Sequence, residues 1–112
     1  MIRYIDEEFA VAPQLGAHHM EQVAGIGFRT VINNRPDHEE PAQPGNAEIE
    51  QAALAAGLHY LFVPVGRGHS PESSLLALRE ALVNAPKPVL AFCRSGTRSQ
   101  MLYMMAKAPA RE

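Results

Sequence analysis

One cysteine, Cys93, is all that this 112-residue chain contains. No internal disulfide can form, and a reducing cytoplasm is the expected setting. Basic charge is scarce too: ten Lys and Arg against twelve Asp and Glu leave a net charge of −2. That balance gives no footprint for nucleic acid and no polybasic patch for a membrane surface. No apolar run approaches the roughly 20 residues of a membrane span. Met1 to Glu8 is acidic and lacks an apolar stretch, so no secretory signal is expected. Internal repeats and low-complexity segments are also missing. What remains, 46% hydrophobic and 20% charged residues, is ordinary for one globular domain spanning residues 1–112.

Periodicity divides the chain, with most of its nine prolines and eight glycines falling between the segments. One or two short edge strands are expected around Tyr4 and Phe9 to Val11. A helix is expected from about Ala17 to Ile26, with Met20, Val23 and Ala24 on one face and Gly27 at its end. Phe28 to Asn33 reads as a buried strand, followed by a polar loop to Gly45. Asn46 can cap a helix to about Ala56, with Ile49, Ala52, Ala53 and Ala56 at helical spacing. Leu58 to Val65 reads as a strand. Ser70-Pro71 starts a third helix, whose buried face is expected from Leu75, Leu76, Leu78, Leu82 and Val83. Residues 89–92 form the last strand. A final helix runs from near Thr97 to about Lys107, with Pro109 stopping it. Helices alternating with apolar strands imply an α/β fold, a parallel or mixed central sheet flanked by helices.

Ligands in such folds sit at the carboxyl ends of strands. Cys93 lies at such an end, in the run Phe92-Cys93-Arg94-Ser95-Gly96-Thr97-Arg98-Ser99. A loop entering a helix there aims N–H groups and a helix N-terminus at one point, an anion cradle. A thiol in that field loses its proton more easily, which suits a nucleophile. A core cysteine is the plainer reading, but cations and donors follow where a core wants apolar contact. Gly96 supplies the curl. Ser95, Thr97 and Ser99 either donate to an anion or cap the helix. Arg98 presents a fork for an oxyanion, and Arg94 faces outward to attract one or stands idle in solvent. Arg35-Pro36-Asp37 follows a strand and belongs on the same rim. Asp37 is a candidate general acid, although an ion pair with Arg35 that holds the loop is favoured. His69 is a candidate proton donor or simply an exposed histidine. His18 and His19 are adjacent, and His38 and His59 have no ligand-spaced partner. No metal and no cofactor are expected.

The Cys93–Arg98 loop, with four residues between Cys and Arg, resembles the active-site loop of rhodanese sulfurtransferases. Cysteine-dependent phosphatases place five there, usually after a His. Here Phe92 precedes the cysteine, and Ser99 stands where their Arg would be. Nearly the whole chain, through Val31-Ile32-Asn33-Asn34-Arg35-Pro36-Asp37, Glu39-Glu40-Pro41, Gln43-Pro44 and Phe62-Val63-Pro64-Val65, resembles the phosphatase-like domain of beta-lactamase-hydrolase-like proteins. That group is also called domain of unknown function 442 and described as a proposed sulfurtransferase. The resemblance implies a fold like that of cysteine-dependent, dual-specificity phosphatases. It also implies sulfur transfer: Cys93 takes sulfane sulfur as a persulfide and passes it to a low-molecular-weight or protein thiol, with a persulfide dioxygenase as partner. Phosphate ester hydrolysis through a phosphocysteine is the alternative. It is opposed by the loop length and by the want of an acid near Arg67. A non-catalytic anion-binding module is the third reading.

Overall fold

The computed structural model describes residues 2–108. Its centre is a five-stranded sheet in the order β1-β2-β5-β3-β4. The strands are β1 (Arg3–Tyr4), β2 (Phe9–Ala12), β3 (Thr30–Asn33), β4 (His59–Phe62) and β5 (Val89–Phe92). β1 runs antiparallel to β2, and the remaining pairs are parallel. β2 was expected at an edge, but it lies inside the sheet, because β1 covers one side and β5 the other.

Strands buried on both faces need apolar residues at every position, and β2 and β5 read Phe-Ala-Val-Ala and Val-Leu-Ala-Phe, all buried. Alternate residues serve opposite layers. Ala10, Val31, Leu90 and Phe92 pack with Met20, Val23, Ile49 and Ala53, from helices α1 (Met20–Ile26) and α2 (Asn46–Ala55). Phe9, Val11, Ile32, Val89 and Ala91 pack with Leu78, Ala81, Leu102 and Tyr103, from α3 (Pro71–Asn84) and α4 (Thr97–Lys107).

Several local expectations need correction. Residues 17–19 form a 3-10 turn before α1, in which the His18 and His19 rings tilt against each other at 3.9 Å. Leu76 and Val83 on α3 are exposed. Two residues from Leu78 is about 200° around a helix, the far side. The buried stripe runs through Ser74, Leu78 and Ala81, and the Ser74 hydroxyl donates to Pro64 O at 2.6 Å. Asn46 does not cap α2. It is the first helical residue, and its side-chain oxygen faces inward to accept from the Tyr60 hydroxyl at 2.6 Å. Ser70 does cap α3, accepting from the Ser73 N–H. Pro109 lies outside the described residues. Among those described, no helix is long and apolar enough to cross a membrane.

Candidate active site

Three parallel strands end together. The register pairs Asn33 with Phe92 and Ala12 with Phe92. The residues that follow therefore emerge on one edge: Gln14 after β2, Asn34 and Arg35 after β3, Cys93 and Arg94 after β5. Pairing continues past the strands, with the Asn34 N–H donating to Phe92 O at 2.8 Å and the Gln14 N–H to Arg94 O at 3.2 Å.

Cys93 is 0% exposed, and the Gly96 N–H donates to its sulfur at 3.0 Å. Gly96 takes φ +96°, in the left-handed region, and this lets the chain double back over the sulfur. Burial alone pushes the thiol pKa up. The Ser99 and Gly96 N–H groups, the Ser99 hydroxyl and the Ser95 N–H together outweigh it, so the net shift is down. The anion cradle is therefore present, with the thiol as its occupant. The sulfur is fully covered, however, rather than flooring an open pocket.

The loop hydroxyls divide. Ser95 and Thr97 serve the start of α4: the Thr97 N–H donates to Ser95 Oγ at 3.3 Å, and Ser95 Oγ donates to Thr97 Oγ1 at 3.1 Å. Ser99 is buried beside the sulfur and donates to Asn34 Oδ1 at 2.8 Å. Asn34 is fixed in turn, since its Nδ2 donates to Val63 O at 2.7 Å and its own carbonyl accepts from the Val65 N–H.

The charged groups form one chain across the rim. Arg35 is 3% exposed and donates to Glu39, Glu40 and Gln14 at 2.7–2.8 Å. Glu39 also grips Arg98 from both oxygens, and Glu40 lies 3.4 Å from the largely exposed Arg94. The hydrogen bond from Arg98, aided by Arg35, holds the Glu39 carboxyl down at about 2 against burial. The Glu40 carboxyl is also lowered, first by its hydrogen bond to Arg35.

Arg35 and Asp37 do share the rim, but the expected ion pair between them is replaced. Arg35 turns to the two glutamates, while Asp37 Oδ1 accepts the Asn46 N–H at 2.8 Å and supplies the cap that Gly45 cannot give α2. His69 is exposed on the neighbouring loop, its N–H donating to Gly66 O at 3.1 Å. Gln14, Asn34, Glu39 and the Val65 carbonyl were not among the site residues read from sequence. A hint was available for Glu39 and Glu40, two carboxylates just after a buried Arg and facing a loop with two more.

A mostly parallel sheet between helix pairs, with a thiol wrapped by the strand-to-helix loop at its carboxyl edge, defines a cysteine-dependent phosphatase-like fold. The chain belongs to the family described as "Beta-lactamase hydrolase-like protein, phosphatase-like domain", whose model it matches over residues 1–110. It is 38% identical over 104 residues to the beta-lactamase hydrolase-like protein of Agrobacterium fabrum, covering 93% of this chain and 24% of that one. For the protein of the same name in Xylella fastidiosa the identity is 41% over 103 residues, covering 92% and 24%. The chain thus spans about a quarter of the length of these curated relatives. Among solved structures it resembles a proposed phosphatase of Neisseria meningitidis, with 38% identity and a TM-score of 0.80, covering 91% of this chain and 72% of that one. The active form of Tk-PTP shares the fold at 24% identity and a TM-score of 0.64, covering 97% and 76%.

These likenesses overturn the sulfurtransferase expectation and with it the Cys93 persulfide and thiol acceptor: the relatives named by activity point to phosphatase chemistry. The physical source of the error is loop length. The four-residue spacing suggested a compact rhodanese-type loop, but Arg98 sits in the first turn of α4 and still reaches the sulfur's surroundings. Ser99, in the place of the usual phosphatase Arg, is turned inward to the sulfur and Asn34. A loop one residue short is thus accommodated on the phosphatase-like sheet.

Proposed function

We propose that the chain hydrolyses phosphate monoesters through a phosphocysteine. The observation that carries this reading is the buried Cys93 sulfur at the carboxyl edge of the sheet, accepting the Gly96 N–H at 3.0 Å, with its pKa lowered by the surrounding loop donors. In the first step the Cys93 thiolate attacks phosphorus. The S–P bond forms as the P–O bond to the leaving group breaks, and that oxygen takes the electron pair. The loop N–H groups and Arg98 stabilise the phosphoryl oxygens. In the second step water attacks phosphorus, the S–P bond breaks, inorganic phosphate leaves, and the thiolate returns.

The rim carboxylates are poorly suited to protonate the leaving oxygen. Glu39 titrates at about 2, Glu40 is lowered, and Asp37 spends an oxygen on the Asn46 N–H. This favours substrates whose leaving group departs as an anion, such as aryl phosphates. Arg94 belongs to the rim that meets the substrate and the buried Arg35 braces that rim from behind; His69 stands as a rim residue rather than an assigned acid. The test is a steady-state assay with a generic aryl phosphate, with rapid-quench trapping of the phosphoenzyme by mass spectrometry. Turnover and a phosphate-sized mass gain on Cys93, both absent in Cys93→Ser, are expected. Tungstate or phosphate binding without turnover would leave only an anion-binding module.

A further inference from the structure

We propose that Glu39 is a positioning residue that delivers Arg98 to the anion site and so makes the shortened loop workable. The proposal rests on the phosphate-ester reading above and deepens it. Arg98 is carried one residue earlier than the usual phosphatase Arg, about 100° away around a helix. Something outside the loop must hold its long side chain, and the structure shows what does. Glu39 Oε2 accepts from Nη1 at 2.6 Å, Glu39 Oε1 accepts from Nη2 at 3.0 Å, and Val65 O accepts from Nη1 at 2.9 Å.

A guanidinium has five N–H groups. Both on Nη1 and one on Nη2 are engaged with Glu39 and Val65. Nε–H and the second Nη2–H remain. These two lie along one edge of the planar group, which is a fork for two oxygens of a tetrahedral anion. Glu39 thus grips the far edge and leaves the near one for substrate.

The clamp is itself braced. Glu39 Oε1 also accepts from Nε of the buried Arg35 at 2.8 Å, and Gln43 fastens the loop by accepting the Glu39 N–H and donating to Pro36 O. A carboxylate beside an anion site is otherwise an electrostatic penalty. Its presence here makes sense only if orientation outweighs repulsion, and that comparison can be measured.

The experiment is a double-mutant cycle on the full chain, made from the wild type, Glu39→Gln, Arg98→Ala and the double variant. The readout is tungstate affinity, measured by protection of Cys93 from alkylation, and this does not require turnover. If Glu39 positions Arg98, Glu39→Gln weakens tungstate about tenfold or more. In the Arg98→Ala background the same change has little further effect. If Glu39 merely repels anions, Glu39→Gln tightens binding, and the proposal is overturned. A loss of equal size in both backgrounds marks a general structural role and also overturns it. Aryl phosphate turnover is measured in parallel. A cycle that behaves as expected in a wild type without turnover sinks the phosphatase reading and leaves the positioning role standing.

Discussion

Ser99 donates its hydroxyl to Asn34 across 65 positions of sequence, at 2.8 Å, beside the Cys93 sulfur. A hydroxyl has one proton to give. It rests on Asn34 Oδ1 or turns to the thiolate, so Asn34 competes with the sulfur for a bond that would stabilise the ionised form.

The Ser99, Gly96 and Ser95 N–H groups still outweigh burial, so a midpoint for Cys93 alkylation below the free-thiol value of about 8.5 is expected. Ser99→Ala removes one of the donors and moves the midpoint upward. Iodoacetamide rates across pH 5 to 10 measure both. A wild-type midpoint at or above the free value, or no change in the variant, would show that the N–H groups do not overcome burial.

Gly96→Ala should lower both stability and phosphatase turnover. A side chain in the left-handed region costs roughly 1–2 kcal/mol, and the added Cβ would lie 3.4 Å from Ala12 O. Thermal unfolding and the alkylation midpoint together test this. A variant with unchanged melting and unchanged thiol chemistry would mean that the loop holds its curl without glycine.

Asp37→Ala distinguishes a helix cap from a general acid. Loss of the cap on α2 costs about 1 kcal/mol. The expected result is a lower melting temperature with the acidic limb of the aryl phosphate pH profile unchanged. A variant that loses turnover only with poor leaving groups would restore Asp37 as the acid.

Acid should loosen the rim through Glu39. Its carboxyl titrates at about 2 in the folded chain against an ordinary 4.5, so the unfolded chain binds more protons between those values. The stabilisation is fully present above the unfolded value and is lost as pH falls through about 2. Denaturant midpoints from pH 7 to pH 2 should fall in the wild type, with a shallower fall in Glu39→Gln. Parallel curves would mean that the ion pair is screened to nothing.

The strand and helix order, the Ser70 cap and the placement of Cys93 at a carboxyl edge were legible, because each depends on neighbours within a few residues. The place of Arg35 and Arg98 on the carboxyl rim was legible, but their partners were not. Glu39 meets Arg98 across 59 positions, and loop residues 34–45 carry no periodicity from which to infer which carboxylate faces inward. Asp37 was placed on the correct rim with the wrong contact, since a polar loop residue can serve either a side chain or a helix end at similar cost. The four-residue spacing from Cys93 to Arg98 points to sulfur transfer only if loop length is decisive. A side chain as long as Arg, gripped from outside, makes length a weak constraint.

β5 is the last strand in sequence, yet it lies between β2 and β3 in the sheet. During synthesis, a nascent chain that has not reached Phe92 has two strands with no common neighbour to hold them in register. Cys93, its loop and α4 follow immediately. The thiol's cradle and the strand that organises the sheet therefore leave the ribosome together. Until then residues 1–92, which contain no cysteine, expose unpaired edges in β2 and β3. Long-range pairing of this kind is slow to form, so the interval before β5 docks is the time of greatest risk of misassembly.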